Sequence, residues 1–131
     1  MGWDGSNRRQ FPRIMYPCLV KLTAGDGAQH DAFLTHTENI GVGGISVIVK
    51  KEIPLSASVQ VEVDLLDNIE HLSAKGRVIW VVRRRSGETV KPLFYDVGIE
   101  FEGLSDKDKI RLDTTIVRFI QKGYKILKPV Y

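Results

Sequence analysis

A chain of 131 residues, 43% hydrophobic and 27% charged, has ordinary globular composition and the length of one domain able to bury its own core. A formal net charge of +3 fits an anionic partner without requiring one. One cysteine excludes an internal disulfide, and no apolar run approaches the roughly 20 residues needed to span a bilayer. The start, MGWDGSNRR, has no apolar stretch behind its charges, so it does not read as a signal peptide and a cytoplasmic protein is expected.

Residues 1–13 are polar and rich in Gly, Asn and Arg, and they are expected to form a flexible strap. Within it, NRRQFPR (7–13) carries three arginines around Pro12. Proline disfavours a helix here and pushes Phe11 towards an extended backbone, so Arg8, Arg9 and Arg13 sit on an extended segment. From Cys18 the pattern alternates with period two: Cys18, Val20 and Leu22 share a face, and AGDG (24–27) reads as a turn. A second strand is expected at about 30–37, with Ala32, Leu34 and His36 on one side. NIGVGG (39–44) reads as a glycine-rich turn before Ile45, Val47 and Val49 resume the alternation.

IPLSAS (53–58) leads into Val59, Val61, Val63 and Leu65, and Asp67–Asn68 marks the next turn. Leu72, Ala74, Gly76, Val78, Trp80 and Val82 then share one face. Ile79 and Val81 add apolar residues to the other, which predicts a strand covered on both sides near Trp80. RRRSGETVKP (83–92) is a polar hairpin before Tyr95, Val97, Ile99 and Phe101. At LSDKDKIRL the period becomes 3.6: Ser105 is the expected N-cap with Asp108 at the third helical position, and Leu112, Ile116, Phe119 and Ile120 form the apolar stripe. Gly123 is placed to end the helix. Six antiparallel strands and one amphipathic helix predict a small closed or nearly closed β-barrel whose edge or mouth the helix covers. The expected division is a strap at 1–13, barrel and helix at 14–123, and a tail at 124–131.

Catalytic patterns are missing. His30, His36 and His71 are scattered without metal-ligand spacing, and no nucleophile elbow, P-loop or dinucleotide fingerprint is present. Cys18, in YPCLVKL, reads as core packing, and no enzyme, metal or cofactor is expected. Two segments remain. Guanidinium groups suit phosphate oxygens and the O6/N7 edge of guanine, and they stack on bases, so the strap can hold a nucleotide; its alternative is a solubilising tail. In ENIGVGG, exposed backbone N–H groups can receive an anion and Asn39 offers both donor and acceptor to a base edge. Its alternative is a hairpin turn in which Asn39 tolerates a left-handed backbone.

Together the two segments resemble the PilZ domain family of bacterial cyclic di-GMP receptors. The Arg-x-x-x-Arg element reads Arg9-Gln-Phe-Pro-Arg13 behind Arg8, and the Asp/Asn-x-Ser-x-x-Gly element reads Asn39-Ile-Gly41-Val-Gly-Gly44. SAKGRVIWV, YDVGIEFEGLSDKDK and the closing helix extend the resemblance over about 8–122. It implies a six-stranded split barrel binding cyclic di-GMP. Arg9 and Arg13 would grip phosphate and guanine edges, Arg8 would add charge or stacking, and Asn39 would bond a guanine. Gly41 and Gly44 would let the backbone close beneath, and Trp80 is a stacking candidate or else a core residue. The strap would order on binding and signal through a protein partner in motility, polysaccharide synthesis or secretion.

Gly41 stands where the family has Ser, which implies a retuned site or, alternatively, an interaction module that has lost its nucleotide. A third reading, a barrel for single-stranded nucleic acid, is disfavoured because the basic residues gather in a tail and a hairpin, with Arg83 to Arg85 read as solvated.

Overall fold

The structure is a computed structural model, and it describes residues 13–15, 17–26, 29–84, 94–124 and 126–127. The alternating segments form strands β1 (Arg13–Ile14), β2 (Leu19–Asp26), β3 (Gln29–Gly41), β4 (Gly44–Val49), β5 (Ser58–Val63), β6 (Leu72–Arg84) and β7 (Phe94–Glu102). Helix α1 (Asp106–Gln121) and strand β8 (Ile126–Leu127) follow. The sheet order is β2-β5-β6-β7-β4-β3, and β3 pairs back onto β2, so six antiparallel strands close into a barrel with one C-terminal helix, as expected. Closure removes the open edges that a sheet of this size would otherwise present. The two short strands extend this ring: β1 pairs with the end of β3, and β8 pairs with β1. Both fall at the edges of the division drawn from sequence, Arg13 within β1 and residues 126–127 within β8.

One apolar row explains the register. Ile14 pairs with Ile40, Ile40 with Ile45, Ile45 with Ile99, and Ile99 with Val78. All five are buried, and opposite residues of an antiparallel ladder share a face, so the row points into the barrel on five strands at once. Val20, Leu22, Val61, Val63, Val47 and Val97 fill the rest of the interior, with Leu112, Ile116 and Phe119 from α1.

Three expectations need correction. First, β2 runs through Asp26 and pairs it with Gln29, so the connection is shorter than AGDG and lies at 27–28, outside the described residues. Second, residues 39–41 belong to β3 rather than to a turn, and only Val42 and Gly43 separate β3 from β4. Asn39 has no left-handed backbone; among the described non-glycine residues that conformation belongs to Ser56, Leu66 and Asn68. Third, β6 is not covered on both sides near Trp80. A bulge between Val78 and Trp80 inserts Ile79 and reverses the inward phase, so Trp80 and Val82 turn outward while Val81 packs on the core. The face of β3 that carries Ala32, Leu34 and His36 is the exposed one, and Leu34 keeps 79% of its surface.

The helix ends as its residues dictate. The Ser105 hydroxyl accepts from the Asp108 N–H at 3.1 Å. At the other end Gly123, with φ of +90°, donates to the Ile120 carbonyl, and the Tyr124 N–H donates to the Phe119 carbonyl. This pair of bonds is the Schellman arrangement, completed by an edge-on contact of Tyr124 with Phe119 at 5.9 Å. Arg111 locks α1 to the loop after β5: its Nε and one terminal nitrogen bond both Asp67 oxygens at 2.8 and 2.9 Å. The Asp67 and Arg111 side chains are only 9% and 18% exposed.

Hydrogen bonds from Arg111 hold the Asp67 carboxyl below its ordinary range. A carboxyl lowered by folding contributes stability that is present above its unfolded value, about 3.9, and lost as pH falls through the folded value. Arg111→Ala should therefore cost about 1.5–3 kcal/mol at neutral pH. In denaturant titrations the difference from the parent chain should shrink below about pH 4. A pH-independent difference would remove the ion pair as its cause.

Candidate functional site

Burial of Ile14 inside the barrel sets the position of its neighbour. Arg13 lies one residue back along β1, and its backbone partner is Gly41. The root of the arginine strap and the glycine segment are thus adjacent strands, joined by main-chain pairing. Around them the expected site residues divide clearly. Arg8 and Arg9 lie outside the described residues. Arg13 by its backbone, Asn39, Gly41 and Gly44 come together at the β1–β3–β4 corner. Trp80 lies on the same outer row as Asn39, through the pairs Asn39–Ser46, Ser46–Gly98 and Gly98–Trp80. Three strand spacings put it about 14 Å from Asn39.

Two glycines make this surface close-packed. A Cβ on Gly44 would lie 2.1 Å from the Ile99 carbonyl oxygen, so β4 can approach β7 here only without a side chain. Next to it, the Phe101 N–H donates to the Gly43 carbonyl at 2.9 Å. A Cβ on Gly98 would lie 2.1 and 2.2 Å from Cε2 and Nε1 of Trp80, because the indole covers that glycine. With 37% of its surface exposed, Trp80 is neither a core residue nor a free one. It is an aromatic plate held against the barrel wall.

Sequence reading missed a polar cluster beside Asn39. The Ser46 hydroxyl, buried opposite Asn39, donates to Glu38 Oε1 at 3.3 Å. Glu38 is the extra residue of a bulge between Thr37 and Asn39. Asp96, only 3% exposed, accepts from Arg84 Nε through Oδ2, while its Oδ1 is buried without a hydrogen-bond partner among the described residues. Burial, and then the charge of Asp96 and a hydrogen bond to it, push the Glu38 carboxyl up. A proton on Glu38 gives that pair a donor, which an ionised pair lacks. Arg83 likewise bonds Glu52, so the two described hairpin arginines are paired rather than merely solvated. Only Gly98 had a sequence signal, as a glycine interrupting a strand. Asp96 lies far along the chain from Glu38 and Ser46, and nothing local links it to them.

Burial raises the Cys18 thiol to about 11, so it is protonated at neutral pH and a poor nucleophile. Among the described residues no three His, Cys, Asp or Glu side chains group as a metal site, and no helix is long and apolar enough to cross a membrane.

The family model for the PilZ domain matches residues 7–121, and the chain belongs to the PilZ domain family. No curated protein sequence matches it. Among solved structures it is similar to the inhibitor of motility MotI/DgrA of Bacillus subtilis, with a TM-score of 0.68 and 17% identity over 88% of this chain and 52% of that one. The PilZ domain of Escherichia coli YcgR with c-di-GMP gives 0.64 and 14%, over 88% of this chain and 92% of that one. The K. pneumonia MrkH–c-di-GMP complex gives 0.65 and 15%, over 88% and 53%. The chain spans about half the length of the MotI/DgrA chain and of a YcgR chain solved in complex with c-di-GMP, at 52% and 47%. At these identities the likeness is one of fold.

The Trp80–Gly98 contact can be tested by size. Gly98→Ala should displace the indole at a cost of about 1–3 kcal/mol, read from thermal or denaturant melts. Combined with Trp80→Ala the same methyl should cost much less. Equal costs in both backgrounds would show that the indole does not need the gap.

Proposed function

We propose that this chain is a cyclic di-GMP receptor that acts by binding rather than by catalysis. The observation carrying this reading is the backbone pairing of Arg13 with Gly41, which sets one residue from each element of the family's binding motif on adjacent strands. Support also comes from two proteins of the same fold, YcgR and MrkH, whose structures contain that nucleotide. Arg9 and Arg13 grip phosphate and guanine edges, and Arg8 adds charge or stacking. Asn39 bonds a guanine edge, and Gly41 and Gly44 admit the ligand close to the backbone. Guanidinium is the right group for both targets because its paired donors match phosphate oxygens and the guanine O6/N7 edge. The free face of Trp80 is a place for a base to stack.

Gly41 leaves the site without the family's hydroxyl on β3. We read the site as retuned: the lost neutral hydrogen bond is worth about 0.5–1.5 kcal/mol, up to roughly tenfold in affinity. The Gly41 backbone N–H is retained, and Ser46 keeps a hydroxyl beside Asn39 on the next strand. Ligand orders residues 8–12 over the barrel beside Arg13, which β1 already holds, and so creates a surface that a protein partner reads. A lone, buried Cys18 fits a reducing, cytoplasmic setting.

Titration calorimetry with cyclic di-GMP tests the reading. Arg9→Ala and Arg13→Ala should each weaken binding at least about tenfold, since charge-assisted bonds are worth about 1.5–3 kcal/mol. Gly41→Ser should tighten it by up to about tenfold. A parent chain silent at high micromolar ligand overturns the proposal, and silence that Gly41→Ser does not rescue favours the interaction-module reading.

A further inference from the structure

Strand β1 is two residues long, yet it holds the root of the strap. Its pairing with β3 seats Ile14 in the core and sets Arg13 opposite Gly41. So short a ladder has little stability of its own, because each added residue must offset the entropy of fixing its backbone. The other edge of β1 is taken by β8, which pairs Leu127 with Arg13 and Ile126 with Ile14. The path to β8 is also built: Gly123 turns the chain out of α1, and Tyr124 is pinned by its N–H to the Phe119 carbonyl and by its ring against Phe119. Helix α1 in turn packs on β1 and β3. Meanwhile the six-stranded ring closes without β1 or β8. Whatever β8 contributes, barrel closure does not need it.

We propose that β8 is a positioning element of the ligand site: by pairing with β1 it holds the strap's root against Gly41, so that ligand binding and docking of the C-terminal segment reinforce each other. This rests on the cyclic di-GMP reading above. Each event stabilises the same two-residue strand, and linkage makes the effect reciprocal. The segment after the helix thereby gains a state that depends on the ligand.

The test compares the full chain with a variant ending at Tyr124, which keeps the helix turn and its ring contact. Calorimetry should show cyclic di-GMP binding to the variant about five- to thirtyfold more weakly, the equivalent of re-ordering one backbone residue, at an unchanged far-ultraviolet spectrum. In the full chain, saturating ligand should slow amide exchange at whichever of Ile126 and Leu127 points its N–H at β1, a response that a merely structural tail would not give.

Ile126→Pro and Leu127→Pro provide a second route should the truncated chain lose its fold. Because β8 is an edge strand, one of its two N–H groups points at β1 and the other away, so one proline should weaken binding and the other should not. Equal affinities for the full and shortened chains, or for both prolines and the parent, overturn the proposal while leaving the receptor reading intact. A full chain that binds nothing overturns the receptor reading first.

Discussion

Five buried side chains, Ile14, Ile40, Ile45, Ile99 and Val78, form a single transverse row through β1, β3, β4, β7 and β6. Because strand side chains alternate, burying this row decides which residues of all five strands face out. A slip of one residue in β1 would take Ile14 out of the core. The hydrophobic effect thus sets which residues of this corner face outward. Arg13, Asn39, Gly41, Gly44 and Ser46 stand where they do because the isoleucines beside them are inside.

Strand β3 turns this row into a closed fold. Its first eight residues pair with β2, its later ones with β4, and its last two with β1. The bulge at Glu38 lies where β3 passes from the first partner to the others, and it brings an acidic side chain out beside Asn39. The bulge in β6 does the same for Trp80. Both bulges interrupt a ladder and both re-aim a side chain towards one outer surface, a common use of an extra residue near a site. Gly98 and Gly44 are the complementary absences, since a methyl at either would collide with the indole or with the β7 backbone.

Much of the fold was legible because it rests on short-range signals. Two-residue alternation marked six strands, and the change to a 3.6 period at Ser105, with Gly123 beyond it, bracketed the helix that the structure contains. Expectations failed where one residue changed the phase. Ile79 reversed the inward face of β6, and Asn39 to Gly41 continued β3 although their glycines read as a turn. Leu34 shows what alternation leaves open: it shares a face with Ala32 and His36 as expected, but that face is the exposed one, while Thr35 and Thr37 on the opposite face turn towards the barrel. Strand β1 was invisible since two residues cannot show a period.

By itself the sequence determined the six strands of the ring, the helix and its caps. These depend on neighbours a few residues apart, whose chemistry is written in order along the chain. Tertiary structure alone decided that β3 closes the ring onto β2, that Gly41 is the partner of Arg13, and that Glu38, Ser46, Asp96 and Arg84 meet. It also decided that the end of the chain returns to hold β1. Ladder bonds are made by backbone groups that every residue carries, so no side chain announces its partner. Only the burial of the apolar rows selects among the possible pairings.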